Sequence, residues 1–205
     1  WVNCRYTARN RAEILNSRMR STRVIGEAIA AAANPPAAWL NMSTATLYKH
    51  TYGEPHDESG EIGSTPEAKD AFSIEVGRAW ERAFEEAETP DTRKALLRTG
   101  MVLRDTPESV YGVLRRLAGL GLGGPMAGGR QFVSWIHWID FCCAVEWLVA
   151  NRDAEGVYNV TSPNPVTNAE LMAQVRDAVG ARIGVPSARW MLEVGGFFMR
   201  TEAEL

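Results

Sequence analysis

From Ala8 to Ala33 the chain carries the periodicity of one long amphipathic helix. Ile14, Met19, Val24, Ile25 and Ile29 fall on a broad apolar face, and Asn34-Pro35-Pro36 stops it. The run Ala38-Trp-Leu-Asn-Met42 follows at once and closes in Ser43-Thr44. So short and apolar a run reads as a buried strand with a polar C-terminal end. A long helix handed straight to a buried strand leaves few folds open, because the strand needs partners and cover on both faces. The handover recurs. A helix is expected over Pro66–Glu88, with Pro66 in its first turn and Glu67 at the positive end of its dipole. Lys94–Gly100 and Met101–Leu103 then read as a strand ending in a turn. A helix over Glu108–Leu120, a glycine-rich loop, a strand over Gln131–His137 and a helix over Ile139–Ala150 come next. A strand over Val157–Val160, a helix over Asn168–Val179 capped by Thr167 or Asn168, and a last helix over Met191–Met199 complete the pattern. The expected class is α/β, a parallel sheet with flanking helices. Beyond about Gly119 the elements shorten, which predicts a smaller C-terminal α+β subdomain over 119–205 beside a sheet domain over 1–118, with interleaved boundaries.

Charge and cysteine usage narrow the function classes. The net charge of −3 offers no basic excess for a nucleic acid. The one basic stretch, Arg5 to Arg23, also holds Glu13 and apolar residues at helical spacing, so it reads as a solvated helix face. Cys4, Cys142 and Cys143 are odd in number and lack metal-ligand spacing. Cys142 and Cys143 sit in a hydrophobic helical pattern, which predicts buried free thiols and a reducing, cytoplasmic setting. No run of about 18 apolar residues predicts a membrane span, and no secretory leader is read. Tyr48 to Pro66 is a loop long enough to be functional. Its His50, His56, Asp57 and Glu58 fit no metal motif and read as solvated.

In an open parallel sheet, ligands bind beyond the carboxyl ends of the strands. Two such ends are polar here, Ser43-Thr44 and Arg98-Thr99-Gly100. They can present hydroxyls and backbone amides to one ligand, or simply terminate strands and cap turns. The segment Gly121–Asp140 adds Arg130, His137 and Asp140 near one corner of the fold. The Arg130 fork suits a planar anion such as phosphate or carboxylate. His137 reads equally as a substrate contact and as a satisfied buried imidazole, and Asp140 as a structural carboxylate near a helix start. Trp135 and Trp138 read as core or interface residues.

Several of these segments together resemble a known family. Ser43-Thr-Ala-Thr-Leu-Tyr48 is similar to the Ser-Ser-Ala-Thr-Val-Tyr motif of extended short-chain dehydrogenases and sugar-nucleotide epimerases. Leu96–Leu103 resembles the strand that follows, and Ser17–Thr22 the helix lining the reaction site from the other side. Gly121–Asp140 and Tyr158–Asn168 resemble later segments of the atypical, nucleoside-diphosphate-sugar epimerase-like group. The resemblance implies a partial Rossmann-like sheet, NAD or NADP as cofactor with NADP slightly preferred, and hydride transfer on a nucleotide-sugar-like or other carbonyl or alcohol substrate. It implies that Thr44 hydrogen-bonds the reacting oxygen; for the family's acid/base, Tyr48 or a residue of the His50–Glu61 loop is the candidate substitute. Arg18, Ser43, Thr44, Thr99, Gly100 and Val102 would lie against the cofactor, and Arg130 and His137 against the substrate. The expected partner is a small molecule, and a homodimer is one assembly open to the chain.

The sequence also departs from the family. Ser73 and Gly77 stand where the Tyr-x-x-x-Lys pair is expected, as in the atypical group. No Gly-x-Gly-x-x-Gly follows a strand, and Gly119-Leu-Gly-Leu-Gly-Gly124 follows a helix and precedes Pro125, the wrong context for a dinucleotide fingerprint. The resemblance starts inside the family pattern, at the helix after the fourth strand. Two alternatives therefore stand beside the enzyme: a non-catalytic dinucleotide-sensing or interaction module, and an incomplete chain without cofactor binding.

Overall fold

The computed structural model describes residues 4–66, 68 and 70–188. The expected helix over Met191–Met199, and the placement of Glu67, lie outside the described residues. The elements run α1 (Ala8–Ala30), β1 (Ala38–Thr44), a 3₁₀ turn (Ala45–Leu47), α2 (Ala71–Glu85), β2 (Arg93–Thr99) and β3 (Met101–Leu103). They continue with α3 (Val110–Gly119), β4 (Phe132–Val133), β5 (Trp135–His137), α4 (Trp138–Ala150), β6 (Gly156–Val160), β7 (Val166–Thr167) and α5 (Asn168–Val179).

The main sheet is parallel, in the order β1-β2-β6. Its register aligns Ser43 with Arg98 and Asn159, and Thr44 with Thr99 and Val160. Alternation along each strand sends the first row to one face and the second to the other. On the first face Trp39, Leu96 and Val157 pack with Phe84 of α2 and Ile29 of α1. On the second face Leu40, Ala95, Leu97 and Val160 pack with Leu148 and Val145 of α4. The parallel, doubly covered sheet is thus the α/β class that the helix–strand alternation predicts.

The contact between α1 and α2 corrects the predicted helix face. The buried positions of α1 are Ile14, Thr22 and Gly26, and half-buried Arg18 completes a ridge spaced by four residues. Val24 is 61% exposed and Ile25 45% exposed. Small residues on the ridge let the helices approach closely: a Cβ on Gly26 would lie 2.9 Å from the Cβ of Ala87. Trp80 of α2 donates its indole N–H to Thr22 Oγ1 at 3.0 Å and carries the Arg18 guanidinium over its ring at 4.9 Å. Ile14 and Ile29 of the predicted face are packed, but a hydroxyl, a cation and a glycine supply the middle of the seam, so an apolar-periodicity reading wrongly adds Val24 and Ile25.

Other boundaries also shift. The second helix starts at Ala71 and not at Pro66, because Asp70 accepts from the Thr65 amide and Thr65 Oγ1 from the Ala68 amide, forming a separate turn. The expected strand ending in a turn at Gly100 instead continues into β3, which leaves the main sheet and pairs in parallel with β5. The single strand expected over Gln131–His137 is split at Ser134: β4 pairs antiparallel with β7, and β5 pairs with β3. The Ser134 carbonyl accepts the Met101 amide at 2.8 Å, which fixes the split.

The second unit is built from α3, α5 and these two-stranded sheets. Ala118, Leu171 and Val175 form its buried centre. It interleaves with the first, since α4 and β6 return to the main sheet after β5. Helix α5 opens on a complete capping box, Thr167 with Glu170, and closes on Gly180 at φ 67°. Cys142 and Cys143 are exposed on α4, which overturns the expected burial: the helix is apolar nearly all round but turns only one stripe to the sheet.

Candidate functional site at the carboxyl ends of the strands

Thr44 and Thr99 end adjacent parallel strands and are register partners, about 4.8 Å apart by the spacing of a sheet. Both belong to the α4 face. Thr44 is half-buried; its Oγ1 accepts from the Thr46 amide at 3.2 Å, is 2.9 Å from the Thr46 hydroxyl, and caps the 3₁₀ turn. Thr99 donates to the Leu97 carbonyl at 3.3 Å. Gly100 is required by close approach, since a Cβ there would sit 2.8 Å from the Ser134 carbonyl oxygen. Val102, one residue into β3, packs on the main core.

Ser43 and Tyr48 turn to the opposite face. The Ser43 hydroxyl donates to Glu81 Oε1 at 2.6 Å. Glu81 in turn holds Arg98 by two parallel bonds, Nε–Oε1 at 2.9 Å and Nη2–Oε2 at 2.8 Å. Arg98 and Glu81 are each 6% exposed. The fork's remaining nitrogen, Nη1, donates to the Tyr48 hydroxyl at 3.0 Å and to the Glu58 carbonyl at 3.3 Å. Tyr48 then donates to Asn159 Oδ1 at 2.7 Å. Hydrogen bonding to Glu81 raises the Arg98 pKa above its ordinary value, against the opposing effect of burial.

The network pins the long loop. Glu58 accepts the Asn159 amide at 2.7 Å, and His56 stacks on Tyr48 with centroids 5.5 Å apart. Tyr48 also bridges Ile62, so the excursion between them is closed at its base. Further along, His50 meets Tyr52 edge-on at 4.8 Å, and the Arg130 guanidinium lies 5.3 Å from the centre of the Tyr52 ring. One loop therefore touches Arg98 of β2, Asn159 of β6 and Tyr48 after the 3₁₀ turn, and reaches the glycine-rich loop. His137 is exposed and its Nδ1 accepts the Ile139 amide at 3.4 Å, capping α4 in place of Asp140, which sits in the first turn. Arg18 lies on the α1–α2 seam.

The site thus brings together Thr44, Thr99 and Gly100 as one group, Ser43 and Tyr48 as a second, and Arg130 with the long loop as a third. The sequence reading missed Glu81, Asn159 and Glu58. A signal for Glu81 existed: it lies four residues after Gly77 on the buried side of α2, and a buried carboxylate needs a cation, which Arg98 in an apolar strand supplies. Gly77 has its own structural cause, since a Cβ would lie 2.7 Å from Leu47 Cδ2, a side chain with no exposed surface.

A nicotinamide dinucleotide fits these residues only at one end. The hydroxyls and close-packed backbone of Thr44, Thr99 and Gly100 suit a carboxamide and a reacting oxygen. The glycine-rich loop does not suit a pyrophosphate. Gly124 already faces the Val185–Pro186 backbone at 2.4 Å from where a Cβ would be, and Gly123 faces Ala118 at 2.7 Å. Gly123 and Gly124 make room for the chain itself. Among the described residues no cluster of His, Cys, Asp and Glu could hold a metal ion, and no helix is long and apolar enough to cross a membrane.

A parallel sheet covered by helices on both faces, with polar residues at the carboxyl ends of its strands, defines a Rossmann-like α/β fold. Comparison with known proteins narrows it. The chain is 33% identical over 178 residues to the mouse epimerase family protein SDR39U1, covering 85% of this chain and 56% of that protein. It is 33% identical over 189 residues to the bovine protein of that name, covering 90% and 61%. The epimerase family protein MT2273 of Mycobacterium tuberculosis is 33% identical over 178 residues, with 85% and 55% covered. The crystal structure of human SDR39U1 (isoform 2) with NADPH superposes with a TM-score of 0.83 at 27% identity, over 93% of this chain and 62% of that one. At 16% identity, the Bordetella bronchiseptica enzyme WbmG in complex with NAD and UDP shares the fold, with a TM-score of 0.70 over 90% and 56%. No family model matches the chain. The chain belongs to the epimerase-like, atypical short-chain dehydrogenase/reductase family. It spans little more than half the length of the curated relatives it matches.

Proposed function

We propose that this chain is the substrate-side part of an NAD(P)-dependent oxidoreductase or epimerase acting on a carbonyl or alcohol, a nucleotide sugar among the candidates. The observation that carries the reading is the pairing of Thr44 with Thr99 at the ends of adjacent parallel strands, on one face, next to Gly100. A bound nicotinamide would supply the hydride chemistry that no side chain here can. Thr44, released from the Thr46 hydroxyl, donates to the reacting oxygen and stabilises charge developing on it. Thr99, Gly100 and Val102 line the nicotinamide end. Arg130 offers its fork to a substrate anion, and His137, exposed at the start of α4, is the second substrate contact in this reading. NADP is preferred to NAD by likeness to the NADPH-bound human protein. A homodimer and a cytoplasmic setting complete the proposal, and the exposed thiols of Cys142 and Cys143 suit a reducing compartment.

A second reading, a non-catalytic dinucleotide sensor, is favoured by a specific observation. Leu47 fills the space at Gly77, and the Tyr48 hydroxyl is held by Arg98 and Asn159. Titration of the chain with NADPH, followed by tryptophan fluorescence, tests binding: saturable quenching is expected, and none at millimolar cofactor rejects binding by this chain. With a carbonyl substrate in hand, Thr44→Ala should abolish turnover and spare quenching. Quenching with no turnover by the unaltered chain across a panel of carbonyl compounds favours the sensor.

A further inference from the structure

Arg98 is the most connected buried cation described in the molecule, and neither the hydride chemistry nor the anion site uses it. Its fork divides its work. Nε and Nη2 are spent on Glu81, an α2 residue that also receives the Ser43 hydroxyl. Nη1 reaches outward to Tyr48 and to the Glu58 carbonyl of the long loop. Its contacts flank Thr44 on both sides in sequence: Ser43 precedes it, and Tyr48 ends the 3₁₀ turn that Thr44 caps. The loop receives a second hold from Asn159, the register partner of Arg98, which donates its amide to Glu58 and its side chain to the His56 carbonyl at 3.4 Å.

We propose that Arg98 is a positioning residue: its outward nitrogen seats the 49–61 loop against the carboxyl ends of β2 and β6 and fixes the turn that presents Thr44. Stability and positioning are separable in this geometry. A lysine at 98 keeps a charge for Glu81 but has no planar fork, so it cannot serve Glu81, Tyr48 and Glu58 at once. Tyr48→Phe removes the hydroxyl that ties Nη1 to Asn159 beneath the loop, and leaves the Arg98–Glu81 pair and the Glu58 carbonyl bond intact. The functional weight of the proposal rests on the strand ends being the reaction site, but its test does not.

The test is amide hydrogen exchange, followed peptide by peptide, on the unaltered chain, Arg98→Lys and Tyr48→Phe. The expected result is exchange about tenfold faster over residues 49–61 in both variants, with β2 and α2 protected as before. A role confined to stability would speed exchange in β2 and α2 as well, and that outcome overturns the proposal. So does loop protection that stays unchanged. If Arg98→Lys does not fold, Tyr48→Phe alone decides. A chain that loses loop protection selectively yet shows no NADPH quenching would retain the positioning role and lose the proposed function, which keeps the two failures apart.

Discussion

The two faces of the main sheet are finished differently. On the α1–α2 face the polar groups are internal and matched: Ser43, Glu81, Arg98, Tyr48 and Asn159 satisfy one another under the long loop. On the α4 face the core is dry, and the polar groups, Thr44 and Thr99, stand at its margin. Both faces leave apolar surface in solvent on their outer helices, Trp147 and Val149 on α4 and Val24 and Ile25 on α1, so the contrast lies in the polar groups. Buried polar groups must be paired, whereas exposed apolar ones carry no such obligation. The well-bonded face is therefore scaffold, and the proposed reaction site lies on the other.

Substitutions can sharpen or break this contrast. The largest effect is expected from Arg98→Met, which strands Glu81 without a cation inside the protein; the loss should be about 3–5 kcal/mol in a denaturant titration. Gly77→Ala, on the same face, should cost about 1–2 kcal/mol, because its methyl meets Leu47 and helix propensity offsets part of the strain. Thr167→Ala, in the second unit, removes one half of a capping box and should cost about 1 kcal/mol. The smallest effect is expected at Val149→Ser on the outer side of α4, within about 0.5 kcal/mol in thermal melts. A larger loss there would mean the two faces are equally committed to stability.

Acid should act on the second unit through Glu170. Hydrogen bonds from the Thr167 backbone and then its hydroxyl hold this carboxyl below its ordinary value. A depressed carboxyl supports the fold above its unfolded pKa and loses that support as pH falls through the folded value. An NMR titration should show the start of α5 loosening only below the usual glutamate range, and Thr167→Ala, which keeps the backbone bond and loses the hydroxyl, should move Glu170 part of the way back to that range.

The sequence carried the parallel sheet, because apolar runs between helices have few other ways to be buried. It also carried the Thr167 cap, a local pattern of four residues. The lost parts depend on partners distant in the chain. Nothing local in Gln131–His137 says that Val133 will meet Val166 while Trp135 meets Met101. The middle of the α1 seam was missed because hydrophobicity alone cannot foresee Trp80 choosing Thr22 and Arg18. Within the site, the strand-end hydroxyls were legible, whereas the hub joining Glu81 to Asn159 spans 78 positions and only the fold assembles it.

Gly100 has a mechanical consequence. The chain steps from one sheet to another across that single residue, riveted on either side by the Val160 and Ser134 carbonyls. A joint with no slack transmits torque and does not bend, so the two units are geared together at this step. The loop above the strand ends, by contrast, is held to Arg98 and Asn159 through side chains, so it is the freer part of the proposed site's surround among the described residues.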